Sequence, residues 1–243
     1  ATPGRGTGGR RRSASVLGRR GHYTLRVSST PGPLSWLRSL AARRVERPQS
    51  YDRLQRAVGS RRLWQVFCAE YLQPRPAMRI LDLGCGTAEV LAFLPQVDYL
   101  GVDLHPPYVQ AAAARFGDRA RSGDRARFRL ADASTLEGEA ERFDAVLLLG
   151  LLHHLDDLQA ARAVAAAAAL LAPGGRVLTL DGCRTEGQSR LSRALLRVDR
   201  GAHVRDRAGY LALLEPRLHV QRAELRKDLI RLPYTYLVTV GRP

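Results

Sequence analysis

Lysine is almost absent from this chain. Of 243 residues only Lys227 is a lysine, and every other basic side chain is arginine. Methionine is as rare, with Met78 alone. Arginine, alanine and glycine dominate instead, a usage that reflects coding bias as much as selection for an anionic partner. Cysteine is scarce too. Cys68, Cys85 and Cys183 stand far apart with no CxxC spacing, which argues against a structural zinc site and a disulfide framework and fits a reducing compartment. No metal site is expected. No uninterrupted apolar run is long enough to span a bilayer, so the expectation is a cytoplasmic protein with no membrane partner.

Acids are missing from the start of the chain. Residues 1–45 hold ten arginines and no Asp or Glu, so the formal charge of +16 falls to +6 for the rest. The surplus that invites a nucleic-acid reading is therefore concentrated in one segment. Gly, Ser, Pro and Arg dominate it and apolar residues are sparse, which predicts a flexible basic arm over 1–45. An organelle transit peptide shares this composition; an extension without function is the simpler reading. Residues 46–243 are expected to form one domain.

Beyond the arm the chain is patterned. Leu54, Val58, Leu63, Val66, Phe67 and Tyr71 recur at helical spacing between Tyr51 and Leu72, with Gly59-Ser60 as a break. Strands and helices then alternate: strands at Arg79–Leu83, Tyr99–Asp103, Phe128–Ala131, Ala145–Leu149 and Arg176–Leu180; helices at Thr87–Leu94, at Pro106–Phe116, and from a cap at Asp156 or Asp157 to Leu171. A loop or short helix covers Ser134–Glu141, and Gly174-Gly175 turn into the fifth strand. Helices near Leu191–Val198 and Ala208–Leu214 precede two last strands, Leu218–Leu225 and Tyr234–Val240. The alternation predicts an α/β fold with a doubly wound, Rossmann-like, mainly parallel sheet, covered by helices on both faces and carrying a ligand at the strands' carboxyl ends.

The residues Ile80-Leu81-Asp82-Leu83-Gly84-Cys85-Gly86-Thr87-Ala88-Glu89 mark that ligand site. A buried strand ends in an acid and runs through two glycines into a helical pattern, which lets backbone N–H groups and a nucleotide-like ligand approach closely. A dinucleotide fingerprint needs a small residue at Glu89 for helix–strand packing, so an NAD-dependent enzyme is disfavoured.

Five segments in register carry a family resemblance. Leu81-Asp82-Leu83-Gly84-Cys85-Gly86-Thr87, Gly101-Val102-Asp103, Ala131-Asp132-Ala133, Gly150-Leu151-Leu152-His153-His154-Leu155 and Leu170-Leu171-Ala172-Pro173-Gly174-Gly175-Arg176 together resemble the class I S-adenosylmethionine-dependent methyltransferases, over roughly residues 50–243. The resemblance implies a seven-stranded sheet with an antiparallel last strand, and S-adenosylmethionine as cofactor. It assigns cofactor contacts to Asp82, Gly84, Cys85, Gly86, Asp103, Leu104, Asp132, Ala133 and Gly150. In this reading Asp103 accepts from both ribose hydroxyls, Asp132 from the adenine amine, and Asp82 either anchors the loop or reaches the ammonium. The family's third motif glycine is Ala88 here. His153 and His154, at the mouth of the site, are the candidate catalytic bases; the alternative is one histidine packed and the other solvated. Asp181 and Tyr234 are further candidates to line the pocket. Cys85 reads as a small space-filler. The arginines around Arg190–Arg205 read as a solvated helix face, with capture of an anionic substrate as the alternative. The expected reaction is methyl transfer to a small-molecule acceptor. Two other classes remain open: an RNA or DNA methyltransferase using the basic arm, and a cofactor-binding protein without activity.

Overall fold

The computed structural model describes residues 59–117, 125–136, 140–198 and 201–243. The expected arm over 1–45 and the first half of the Tyr51–Leu72 helix lie outside the described residues.

Seven strands form one sheet: β1 Arg79–Leu83, β2 Asp98–Asp103, β3 Arg125–Leu130, β4 Phe143–Leu149, β5 Leu171–Gly182, β6 His219–Arg226 and β7 Tyr236–Arg242. Their order is β3-β2-β1-β4-β5-β7-β6. β1 to β5 pair in parallel, while β7 runs antiparallel to both β5 and β6. The fold class expected from the alternation is the one observed, antiparallel last strand included. Strand order reverses between β1 and β4, so the crevice at their carboxyl ends is where such a sheet binds ligands.

Side-chain alternation divides the core between the two faces. Ile80, Tyr99, Ala145 and Leu147 join one buried cluster with α1 (Ser60–Val66) and α2 (Pro106–Phe116). Leu81, Leu83, Leu100, Val102, Val146 and Leu148 join the other, with α3 (Asp157–Ala169) and, beyond α4 (Arg190–Val198), α5 (Arg207–Leu214). Strands buried on both faces read as continuous apolar runs, which is why β4 has no polar alternation. α3 is set by a capping box: the Asp156 carboxylate accepts from Gln159 N at 2.8 Å and Gln159 Oε1 accepts from Asp156 N at 3.2 Å.

The helix expected over Thr87–Leu94 is a short 3₁₀ segment, Glu89–Phe93. Ala88 enters it at φ 55°, and Leu94 leaves it extended because Pro95 disfavours the helical region for the residue before it. β3 starts three residues earlier than expected and ends at Leu130. α3 stops at Ala169 and β5 starts at Leu171, so the chain passes through Gly174, at φ 75°, within the strand rather than in a separate turn. The register shifts opposite Phe143–Ala145. After Val66, α1 continues as a wider π turn, Phe67–Leu72.

Candidate active site

The loop after β1 is held from below. Gly84 N and Cys85 N both donate to the Val102 carbonyl, at 2.7 and 3.0 Å. Gly84 sits at φ 73°, and a Cβ there would lie 2.7 Å from Leu151 Cδ1. That glycine is therefore required both by its conformation and by the loop after β4 lying against it. Gly86, at φ 52°, faces open space instead. The Cys85 side chain turns inward: its Sγ would be 2.9 Å from a Cβ on Gly101. Burial pushes its thiol far up, so it packs against β2 and is no nucleophile.

Three acids stand at the carboxyl ends of the neighbouring strands β1, β2 and β3. Asp103 binds two amides, Oδ2 accepting from Gly86 N at 2.9 Å and Oδ1 from His105 N at 2.8 Å. A carboxylate has about four acceptor sites, so two remain for ligand hydroxyls. Asp132 is exposed, and its backbone carbonyl accepts from both Thr135 N and Thr135 Oγ1. Leu104, beside Asp103, is 61% exposed and Leu130, at the end of β3, is 53% exposed. Apolar side chains at this edge suit the face of an aromatic ring.

Asp82 is 2% exposed. Its Oδ2 accepts a 2.6 Å hydrogen bond from the Tyr99 hydroxyl, and its Oδ1 is buried without a hydrogen-bond partner among the described residues. Gly101 makes room for the Tyr99 ring. It lies between Tyr99 and the loop on the same face of β2, and a Cβ there would come within 3.0 Å of the Tyr99 ring. Desolvation pushes the Asp82 carboxyl up to about 7; the Tyr99 hydrogen bond lowers it and the nearby Asp103 charge raises it.

On the β4–β5 side, Asp181 is the penultimate residue of β5 and is 1% exposed. Its Oδ1 meets His153 Nδ1 at 2.8 Å and accepts from His153 N at 3.2 Å. The ring is thereby held with Nδ1 as donor, which leaves the lone pair on Nε2. Asp181 Oδ2 is buried with no hydrogen-bond partner among the described residues. The His154 ring lies 4.2 Å from that of His153, centroid to centroid. Gly150, at φ 71°, faces the His153 ring, with Cε1 3.7 Å from where its Cβ would be. Tyr234 covers the next residue of β5: its hydroxyl fills the space that a Cβ on Gly182 would need. Arg205 corrects the expectation of a solvated arginine face. It is 8% exposed and donates to the carbonyls of Leu152, Leu155 and His203 and to Asp157. It clamps the loop bearing His153 against the segment before α5. Arg190, Arg193 and Arg197 on α4 are exposed as expected.

A family model described as a methyltransferase domain matches residues 80–175, which span the glycine loop, all three acids and the histidine pair. Residues 80–175 are thus matched as a methyltransferase domain, and this match together with the fold supports a class I S-adenosylmethionine-dependent methyltransferase. The chain is 37% identical over 117 residues to a ubiquinone biosynthesis O-methyltransferase from Methylocella silvestris, covering 46% of this chain and 43% of that protein. It is 32% identical over 111 residues to a probable tRNA methyltransferase 9B from Bos taurus, covering 45% of this chain and 22% of that protein. This chain thus spans less than half the length of either relative. The fold is also that of a TehB-like S-adenosylmethionine-dependent methyltransferase from Corynebacterium glutamicum, with a TM-score of 0.58 at 20% identity, covering 83% of this chain and 98% of that one.

S-adenosylmethionine is the cofactor of this domain, and the residues present fit it. The buried, unpartnered Oδ1 of Asp82 calls for a donor that the described residues do not supply. Gly86 leaves space where any side chain would stand. The sequence reading gave no role to Tyr99 or Leu151 and placed Arg205 with the exposed arginines. Only Tyr99 left a trace, two residues before a strand glycine and on the face of the acid it serves. Among the described residues no group of three His, Cys, Asp or Glu is placed to hold a metal ion. Nor is any described helix long and apolar enough to cross a membrane.

Proposed function

We propose that this chain transfers a methyl group from S-adenosylmethionine to a small-molecule acceptor bearing a hydroxyl. When bound, the cofactor supplies an electrophilic methyl group on a sulfonium. Asp103 would hold the ribose, Asp132 and Ala133 the adenine edge, Leu104 the ring face, and Gly84, Cys85 and Gly86 the loop beneath, with Gly150 beside the transferring end. His153 is the base we assign, since Asp181 orients it and stabilises the imidazolium that forms; His154 packs against it. The acceptor O–H bond breaks, an Nε2–H bond forms, and the electron pair stays on oxygen for the transfer. Much of the remaining rate comes from alignment in a dry site.

The observation that carries this reading is the buried His153–Asp181 pair beside the glycine loop, and the likeness to a quinone-pathway O-methyltransferase supports it. The likeness to a probable tRNA methyltransferase supports a second reading, an RNA acceptor held in part by the basic arm. Incubation with radiolabelled S-adenosylmethionine and separate metabolite and RNA fractions distinguishes them. Label in a small-molecule methyl ether is expected. Label in RNA, falling steeply with salt, would replace the small-molecule reading.

A further inference from the structure

We infer that Tyr99 is a positioning residue for the methyl donor: its hydroxyl fixes the Asp82 carboxylate by Oδ2 and leaves Oδ1 for the cationic ammonium of the ligand. The contact is made directly or through one water. The inference rests on the proposed use of S-adenosylmethionine and goes beyond it in assigning a role to a residue outside the glycine loop.

Three observations converge. The Tyr99 hydroxyl is 2.6 Å from Oδ2, and both residues are buried. Oδ1 is equally buried and has no partner among the described residues. A Cβ on Gly101 would crowd the ring edge at 3.0 Å, so the glycine makes room for the ring in this position. A buried carboxylate with one oxygen satisfied and one orphaned is costly, so a positively charged donor is the chemistry that completes it.

The groups facing Asp82 set the proton balance. β2 supplies Tyr99 and, at its end, Asp103, the loop supplies the protonated Cys85 thiol, and the β4 residue opposite Asp82 is the apolar Leu147. No cation is among them, and the Asp82 carboxyl is pushed up to about 7. The ligand's ammonium therefore binds the ionised form, and binding at mildly acidic pH expels a proton.

The test is calorimetric titration of the full chain with S-adenosylhomocysteine, which carries the same ammonium, between pH 5.5 and pH 8. Wild-type affinity should rise roughly tenfold from pH 6 to pH 8. In Tyr99→Phe the carboxyl loses the hydrogen bond that favours its ionised form, so the curve should move up by about one pH unit. Asp82→Asn should bind weakly and lack this component; histidines titrate in the same window, so the readout is the difference from wild type. A folded Tyr99→Phe or Asp82→Asn protein with the wild-type curve overturns the inference. Should Tyr99→Phe not fold, Tyr99→Leu takes its place, with proton release on binding read at pH 7.5 in two buffers of different ionisation enthalpy. Release greater than that of wild type supports the inference, and equal release overturns it. A wild-type protein that binds the ligand at no pH overturns the cofactor reading itself, a result distinct from binding that is indifferent to Tyr99.

Discussion

The Asp103 carboxylate joins two stretches of chain, gripping Gly86 N–H on one side and His105 N–H on the other. Replacing it with alanine frees the glycine loop and removes the acceptor for ribose. Affinity for S-adenosylmethionine should fall by ~1.5–3 kcal/mol, the usual scale for hydrogen bonds to a charged group; calorimetry reads this directly. Asp82 makes the opposite kind of prediction. Its folded-state carboxyl is raised from 3.8 to about 7, so between those values the native protein holds a proton that the unfolded chain has released. That contribution to stability is present below pH 4 and is lost as the pH rises through 7. About three units correspond to ~4 kcal/mol of burial cost above pH 7, against ~1–3 kcal/mol for the unpaired amide of an Asn. Asp82→Asn should therefore be more stable than wild type to urea at pH 8 and lose that advantage at pH 5. Asp82 and Asp103 were legible because each stands at a strand end inside a recognisable motif segment. Tyr99 was not, since its role depends on which strand stands beside β1 and on the space above Gly101.

At the level of elements, the loop after β4 is held by contacts from a distant stretch of chain. Arg205 supplies its guanidinium to three carbonyls and Asp157, and His203 N donates to His153 O at 3.0 Å. Arg205→Met should leave these carbonyls short of donors and cost about 3 kcal/mol, measured by chemical denaturation. Methyl transfer should fall further than cofactor binding, because the loop that moves bears His153. Sequence spacing placed α4, α5 and six of the seven strands within three residues, and β5 begins five residues earlier than expected. Spacing also misjudged the segment after the glycine loop, where Ala88 at φ 55° and Pro95 leave room for only a single tight turn. An Ala88→Gly change would relieve the left-handed strain but lose a buried methyl and add unfolded-state entropy. Each effect is about 1 kcal/mol, which is why alanine is tolerated where the family has glycine. It likewise read Arg205 with its exposed neighbours, because burial of an arginine depends on partners some fifty residues away.

For the whole molecule, charge and chemistry are separable. The basic surplus is concentrated in residues 1–45, whereas the site is assembled from residues 82–181. A chain comprising residues 46–243 should bind S-adenosylhomocysteine with wild-type affinity and methylate a small acceptor at the wild-type rate. A loss of either would assign the arm a part in the site.

The helix in front of the sheet offers one more consequence. The Trp64 indole donates to Glu89 at 3.2 Å, and Glu89 is the third residue past Gly86. An indole beside a carboxylate reports in its emission any change in that distance. The chain has only one other tryptophan, Trp36. A Trp36→Phe protein would carry a single tryptophan, excited apart from the tyrosines at the red edge, next to the ligand loop. Its emission should shift on adding S-adenosylhomocysteine and stay still in Asp103→Ala, giving a label-free optical readout of occupancy before any acceptor is known.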